Sequence, residues 1–180
     1  MNRRKTILSY GLGAGIFMVS GWFVTNTFFI DENGNWDFTI AEIAGYTAMI
    51  LSLSTIFIGV KQYRDKENDG VISFKQAFLT GLYITLVASA VYVIGWMCYY
   101  PFIGEDFANQ YLAHHTEIWN EEGLSPDEIS ANTKDMKEQF EAYKNPFFRI
   151  GLTFLEVFPV GLIISLIAAF IFKREAKTHN

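Results

Sequence analysis

Residues 78–100 read FLTGLYITLVASAVYVIGWMCYY and contain no Asp, Glu, Lys or Arg. The hydrocarbon core of a bilayer is about 30 Å thick, so a helix that rises about 1.5 Å per residue needs roughly 20 apolar residues to cross it. This run therefore predicts a transmembrane helix. Three further runs of similar composition occupy residues 7–30, 40–60 and 147–172.

The four runs together predict an all-α integral membrane protein. Charged residues interrupt them only at Glu42, Arg149 and Glu156. The strands of a membrane barrel alternate between polar and apolar residues, whereas these runs are apolar on every side. We expect a single membrane domain over residues 1–180, folded as a four-helix bundle with helices at about 7–30, 40–60, 78–100 and 147–172.

Basic residues near the ends of the runs predict the orientation, because Lys and Arg are retained on the cytoplasmic side. With four crossings, most of them fall on one side: Arg3, Arg4, Lys5, Lys61, Arg64, Lys66, Lys75, Lys173, Arg174 and Lys177. We expect both chain ends on the cytoplasmic side. The first run is longer than the apolar part of a signal peptide, which has about 7–15 residues, so we expect it to be retained.

The segment 101–146 is too long for a simple connection and predicts a helical hairpin that lies over the outer membrane face. We expect the third membrane helix to end at Tyr99-Tyr100-Pro101, because proline cannot donate the next hydrogen bond. A first hairpin helix is indicated by Phe107, Tyr111, His114 or His115, and Ile118, with Gly123 as its stop. A second begins at Ser125-Pro126 and carries an apolar stripe: Ile129, Thr133, Met136, Phe140 and Tyr143. The alternative is a loosely ordered acidic loop.

Glu156 is the most informative residue of the sequence. It lies near the middle of the fourth run, where a carboxylate costs several kcal/mol and is a functional hypothesis by default. The hydroxyl groups expected at similar depth belong to Ser20, Ser52 and Ser89. Two alternatives remain open, which are a structural hydrogen bond that fixes helix register and the handling of a proton or ligand. Pro159 and Gly161 follow it and predict a kink at the same depth.

Small residues at a spacing of four allow helix backbones to approach closely. Gly11 and Gly15 have this spacing in the first helix, and Gly161 and Ser165 have it in the fourth. They predict either close packing within the chain or homodimerisation through one of these faces.

Metal and cofactor sites have little support in the sequence. Residues 65–76 match a calcium loop in part, but Gln76 replaces the bidentate glutamate that closes such a loop. His114 aligns with Glu117 and Glu121 on one helix face, where a solvated polar surface is the favoured interpretation. We predict no metal site, no cofactor and no catalytic residue, because no motif of the usual hydrolase, phosphate-binding or thiol type is present.

Four separated stretches resemble a known family: Lys61-Gln-Tyr-Arg64-Asp65; Gly70-Val-Ile-Ser-Phe74-Lys-Gln-Ala77-Phe78 with Gly81; Tyr100-Pro101; and Glu156-Val-Phe-Pro159-Val-Gly161. Their arrangement is similar to the bacterial inner-membrane family known as domain of unknown function 4199, over nearly the whole chain. The resemblance implies a small four-helix protein of the bacterial inner (cytoplasmic) membrane. It implies no activity and no binding residues.

The function that we expect from these features is that of a non-enzymatic structural or accessory component of the membrane. The lipid bilayer is the expected partner, together with a second copy of the chain or a larger envelope complex. The alternative is a small transporter or permeation component that uses Glu156, and an enzyme acting on lipid has the least support. The net charge of -5 gives no indication of nucleic-acid binding.

Overall fold

The computed structural model describes residues 2–28, 30 and 34–174, with the backbone alone at positions 23, 25–27 and 105. The described part is helical and has no named strand. Its six helices are α1 (Arg3–Phe28), α2 (Phe38–Leu53), α3 (Thr55–Glu67), α4 (Phe74–Glu121), α5 (Pro126–Tyr143) and α6 (Pro146–Phe172). Two isolated antiparallel bridges join Ile30 to Trp36 and Ile72 to Arg174.

Side-chain caps fix where the helices begin. Ser73 and Gln76 form a capping box at the start of α4, and Ser125 and Glu128 form another at the start of α5, as the sequence predicts. Each box satisfies two backbone donors that the first helical turn would otherwise leave free. Gly123 has a φ of 77° and ends the turn between α4 and α5, which confirms the predicted stop.

Three segments of the described chain are long and apolar enough to cross a membrane: Phe38–Glu67, Phe74–Gly104 and Pro146–Phe172. The first of these differs from the predicted helix 40–60, because it breaks at Ser54 into α2 and α3 and continues to Glu67. At the break, the Ser54 hydroxyl donates to the Ile50 carbonyl at 2.7 Å. The Thr55 hydroxyl donates to the Ser52 carbonyl at 2.6 Å. Hydroxyls that bond preceding carbonyls in this way bend helices.

The prediction that the third membrane helix ends at Pro101 is wrong. α4 runs through Pro101 and ends at Glu121, so the expected separate helix at Phe107 to Ile118 is the second half of α4. An internal proline removes one hydrogen bond from a helix. Pro101 is exposed and lies near the end of the apolar segment, where the carbonyl that it leaves free can bond to water.

The hairpin consists of α5 and the part of α4 beyond Gly104, and the remaining helices, with α4 up to Gly104, form what we call the helical body. The predicted stripe of α5 is half-buried, and the Phe140 ring meets the Tyr111 ring edge-on at a centroid distance of 6.2 Å. Because α4 is continuous, the hairpin extends the axis of a membrane-length helix. Its placement over the outer membrane face stays a prediction.

Basic residues gather at the opposite end of the helical body. The Arg3 guanidinium donates to the Thr80 hydroxyl at 3.1 Å, and the Thr6 hydroxyl donates to the Glu67 carboxylate at 2.6 Å. The bridge from Ile72 to Arg174 joins the start of α4 to the end of α6. We call this region the basic end: Arg3, Arg4, Lys5, Lys61, Arg64, Lys66, Lys75, Lys173 and Arg174.

The core is apolar, and so is much of the surface around it. Buried side chains fill the space between the helices: Ala14, Met18, Leu53, Ile56, Val60, Ile84, Ala88, Val157 and Ala168. Large apolar side chains also point outward along every helix of the body: Leu8, Ile43, Ile58, Ile94, Leu155, Ile163 and Phe170. An apolar surface of this extent is typical of a chain that lipid or another protein covers.

Candidate functional site

Glu156 lies on the outward face of α6, where its side chain is exposed. It lines a shallow groove of about 330 Å³ with Leu152, Thr153 and Leu155 of the same helix and with Tyr143 from the end of α5. Two of these residues are apolar and two carry hydroxyl groups. The carboxylate is thus accessible from the side of the helical body and has polar atoms beside it.

Three tyrosines on other helices lie within electrostatic range of Glu156, and one of them, Tyr143, lines the same groove. Tyr46 of α2, Tyr92 of α4 and Tyr143 of α5 each interact electrostatically with its carboxylate. The ion pairs of the described chain join Arg64 to Asp65, Lys134 to Glu138 and Lys144 to Glu141, and none includes Glu156. The carboxylate therefore interacts with phenol groups and, among the described residues, forms no ion pair with a cation.

A second carboxylate lies on the hairpin side of this cluster. Glu42 is exposed one helical turn before Tyr46, and both interact electrostatically. Tyr111, in the part of α4 that belongs to the hairpin, interacts electrostatically with Glu42. Burial and the nearby Glu42 carboxylate raise the pKa of Tyr111 to about 12. Glu42 thus interacts with Tyr46 of its own helix and with Tyr111 of the hairpin.

The three serines expected beside Glu156 do not bond to it. The Ser20 hydroxyl donates to the Ile16 carbonyl at 2.8 Å on an exposed face of α1, and the Ser52 hydroxyl donates to the Ala48 carbonyl at 2.6 Å. The Ser89 hydroxyl is fully buried and has no hydrogen-bond partner in the described chain. Within the part of the chain that the structure describes, these serines therefore do not fix the helix register through Glu156.

Pro159 and Gly161 have different surroundings. Pro159 is exposed on α6, while Gly161 is buried against the Thr85 side chain. One turn further along α6, the Ser165 and Thr85 hydroxyls lie 3.2 Å apart, and each also has a carbonyl of its own helix within hydrogen-bond distance as an acceptor for its single proton. This buried pair is a polar contact of α4 with α6 on the side of the basic end.

Gly11 and Gly15 lie where α1 crosses α4. A Cβ atom added to Gly11 would stand 2.6 Å from the Val87 Cβ atom, and one added to Gly15 would stand 2.5 Å from that of Val91. Only glycine allows this approach. This face of α1 is covered by α4 within the chain, so it is not free for a second copy.

Arg149 is a buried cation without an acidic partner among the described residues. It is 7% exposed, and its guanidinium lies 4.1 Å from the centroid of the Tyr100 ring. Its Nη1 donates to the Tyr143 carbonyl at 3.2 Å, and its Nε contacts the Met97 sulfur at 3.3 Å. Arg149 thus joins the first turn of α6 to the end of α5 and to α4.

The structure does not assemble the metal sites considered from the sequence. The described residues contain no group of three His, Cys, Asp or Glu side chains close enough to hold a metal ion. His114 packs against the Phe38 ring at a centroid distance of 5.4 Å. In the partial calcium loop, Asp65 pairs with Arg64 at 2.6 Å, and the Ser73 side chain caps α4.

Sequence reasoning missed Tyr46, Tyr92 and Tyr143 as groups that interact with Glu156, and it missed Glu42 as the group that interacts with Tyr46. Of these contacts, the sequence could have predicted only that between Glu42 and Tyr46, because residues four apart share one face of a helix. The contacts of Tyr92 and Tyr143 depend on how the helices are rotated against each other, which an apolar helix without a polar face does not reveal.

Comparison with known proteins gives one match. Residues 9–174 match the family described as protein of unknown function (DUF4199). No curated protein and no solved structure matches the chain. The matched segment holds all the residues of the Glu156 cluster, and it covers nearly the whole sequence. The chain belongs to the DUF4199 family of proteins of unknown function.

Proposed function

We propose that this protein is a non-enzymatic structural or accessory component of the bacterial inner membrane. Four helical segments cross the bilayer, the basic end lies in the cytoplasm, and the hairpin lies outside. The observation that carries the proposal is that α4 continues without interruption from a membrane-length apolar segment into the hairpin. Such a helix holds the hairpin at a fixed position relative to the membrane.

The fourth crossing in this proposal is α1, in addition to the three segments that are long and apolar enough to span. Its support is the contact with α4 at Gly11 and Gly15, which meet Val87 and Val91 inside the segment Phe74–Gly104. A helix that packs along the middle of a membrane segment lies at the same depth in the bilayer. α1 also has no charged residue after Lys5.

The basic end supports the proposed orientation. Lys and Arg flanking membrane helices remain on the cytoplasmic side, and the ends of α1, α3 and α6 bring theirs together with the start of α4. The hairpin at the other end carries the acidic residues of α5, among them Asp127, Glu128, Asp135 and Glu138.

An accessory role requires a partner, which is a second copy or a larger envelope complex. Photocrosslinking in living cells tests it, with the reactive residue at Lys137 on the hairpin or at Leu155 on the membrane surface, both of which are exposed. We expect one of the positions to give a single stoichiometric product. Purified protein that is monomeric in lipid nanodiscs, with no crosslink in cells from either position, would contradict the accessory role.

A small permeation component is the second candidate, and Glu156 favours it. Among the described residues, its exposed carboxylate forms no ion pair with a cation and no hydrogen bond with the serines at its depth. A purely structural role of this charge therefore has no contact to support it. Proton flux into proteoliposomes tests this function. We expect flux that Glu156→Gln abolishes and Glu138→Gln, an exposed change on the hairpin, preserves. Equal flux in liposomes without protein would exclude this function.

A further inference from the structure

We propose that one outward face of α6 docks a transmembrane helix of a partner protein, and that this helix places a Lys or Arg side chain against Glu156. We call this face the α6 seam: Leu152, Glu156, Pro159, Ile163, Ile167 and Phe170. The proposal rests on the accessory function and deepens it, because it states the chemistry of the partner.

The α6 seam is a single exposed stripe that runs along most of the helix. Its residues are spaced by four, three, four, four and three positions, so they share one side of a helix with about 3.6 residues per turn. All six are exposed. The other side of α6 packs into the helical body with buried residues such as Val157, Gly161 and Ala168. The α6 seam therefore has the width that one further helix covers.

The depth of Glu156 indicates that protein covers this face. Glu156 is the eleventh of the 27 residues of α6, so it lies about 15 Å from the start of the helix. That distance is half the thickness of a hydrocarbon core of about 30 Å. Charged residues at such depth almost always face a bundle interior or a cavity and pair with another group. Glu156 instead faces outward, so a partner that supplies the pairing group is expected on this side.

The chain has no cation of its own to offer at this depth. Arg149 is the only Lys or Arg in the four apolar runs 7–30, 40–60, 78–100 and 147–172. It is 7% exposed, and its guanidinium is held by the Tyr100 ring and the Tyr143 carbonyl. A second copy therefore brings no accessible cation to Glu156. Charge complementarity favours a helix of a different protein.

The groove beside Glu156 suits a basic side chain. It has a volume of about 330 Å³ and contains Thr153 and Tyr143, whose hydroxyl oxygens lie 3.3 Å apart. The Trp96 indole donates to the Tyr143 hydroxyl at 2.6 Å and holds it in place. An ammonium group has three donors and no acceptor, so one carboxylate and neighbouring hydroxyl oxygens satisfy it.

The apolar residues of the α6 seam have a different role from Glu156. Leu152 lies on the hairpin side of the acid, and Ile163 and Phe170 lie on the side of the basic end. Alkyl side chains pack against lipid tails about as well as against another apolar helix, so they do not select a partner by themselves. The charge of Glu156 therefore supplies the selectivity, and the charge is what a test must vary.

Model transmembrane peptides test the α6 seam. The full chain is reconstituted in liposomes with peptides of about 20 Leu and Ala residues that carry Lys, Leu or Glu at the centre. Energy transfer from a dye on Lys137→Cys, in a Cys98→Ser background, to a dye on the peptide measures association. We expect the Lys peptide to bind about tenfold more tightly than the Leu peptide.

Two outcomes of this measurement would overturn the proposal. Equal binding of the Lys and Leu peptides would show that lipid covers the face as well as a cationic helix does. A Glu peptide that binds as tightly as the Lys peptide would show that a second copy, which presents an acid, is the better occupant. Both comparisons use the native α6, so they do not depend on whether a variant of the seam folds.

Matched acid variants test the part played by Glu156. Glu156→Gln removes the charge and keeps the shape, so we expect the Lys peptide to bind this variant no more tightly than the Leu peptide. Glu42→Gln makes the same change at an exposed acid of α2, and we expect it to leave the tenfold preference unchanged. Equal losses in the two variants would overturn the assignment of Glu156.

Crosslinking from two equally exposed isoleucines tests where the peptide binds. Ile163 in the α6 seam is 57% exposed, and Ile16 on α1 is 58% exposed. Within the described chain, α1 and α6 do not contact each other. With a photoreactive residue at either position, we expect the Lys peptide to crosslink several-fold more from position 163. Equal yields would overturn the seam as the docking face.

The peptide measurements and the crosslinks in living cells separate this inference from the accessory function. Selective binding of the Lys peptide supports the α6 seam even where no crosslink forms in cells, and that combination refutes the accessory function. A stoichiometric crosslink in cells without selectivity for the Lys peptide refutes the α6 seam and leaves the accessory function standing.

Discussion

The Arg149 guanidinium lies 4.1 Å from the centroid of the Tyr100 ring, across the junction where α4 leaves its apolar segment. The same guanidinium donates to the carbonyl of Tyr143, the last residue of α5. A cation at a helix C-terminus is stabilised by the partial negative charge of the free carbonyls. The charge of this buried arginine is therefore stabilised by an aromatic ring and a helix C-terminus instead of by an acidic side chain.

The contacts of Arg149 predict that it holds the hairpin against the helical body. Arg149→Met keeps the length of the stem and removes a charged hydrogen bond and a cation–π contact, so we expect a loss of about 2 kcal/mol. Hydrogen exchange in detergent should show faster exchange in α5, while Lys137→Met on the exposed face of α5 should change nothing. Unchanged protection of α5 in Arg149→Met would show that the arginine does not hold it.

The glycines of α1 give a matched pair of substitutions. Gly15→Ala places a methyl group 2.5 Å from the Val91 Cβ atom, whereas Gly13 has no neighbouring atom within 4 Å. We expect Gly15→Ala to lower the free energy of unfolding by about 1–3 kcal/mol through overpacking. Gly13→Ala should raise it by up to about 1 kcal/mol, because alanine favours the helix. Unfolding in mixed micelles measures both, and equal effects would refute the close contact of α1 with α4.

The capping box of α5 predicts a pH dependence of the hairpin. Hydrogen bonds from the Ser125 hydroxyl and backbone hold the pKa of Glu128 below its usual range. A lowered pKa in the folded state stabilises α5 above the ordinary glutamate pKa of about 4.3, and that contribution is lost as the pH falls through the folded value. Amide exchange at the start of α5 should therefore accelerate below about pH 4. Ser125→Ala should remove most of this dependence, and a variant with the wild-type profile would contradict the assignment.

We expect replacement of Pro101 to stabilise α4. Pro101→Ala restores the missing donor within α4 and creates no burial, since position 101 is exposed. We expect slower hydrogen exchange in the turn around residue 101 and a gain of at most about 3 kcal/mol. Faster exchange throughout the hairpin would show instead that the contact of Arg149 with Tyr100 requires the proline.

The sequence predicted the fourth run almost to the residue, as 147–172 against Pro146–Phe172, because Asn145-Pro146 and the basic tail bound a long apolar run. The prediction from sequence was wrong at two positions. The helix does not end at Pro101, although proline was expected to stop it, and the helix breaks at Ser54, where the sequence contains no signal of a break. A proline at the end of an apolar segment stops some helices and only bends others. A sequence does not distinguish the serine and threonine residues that bend a helix, as at Ser54 and Thr55, from the many that leave a helix straight.

The candidate site was predicted in part. A carboxylate in an apolar run identified Glu156, since that signal needs no knowledge of the partner helices. Its neighbours were predicted from depth alone, which selected Ser20, Ser52 and Ser89. Depth does not tell which side of a helix meets α6, and helices that are apolar all round give no second signal.

The account depends on a chain that crosses the membrane four times with its basic end inside. Single cysteines in a Cys98→Ser background test this with a membrane-impermeant maleimide on intact cells. We expect Asn35→Cys and Lys137→Cys to react in intact cells, and Asn2→Cys and Lys66→Cys only after permeabilisation. Reaction of positions 2 and 35 from the same side, or of position 66 in intact cells, would contradict the account.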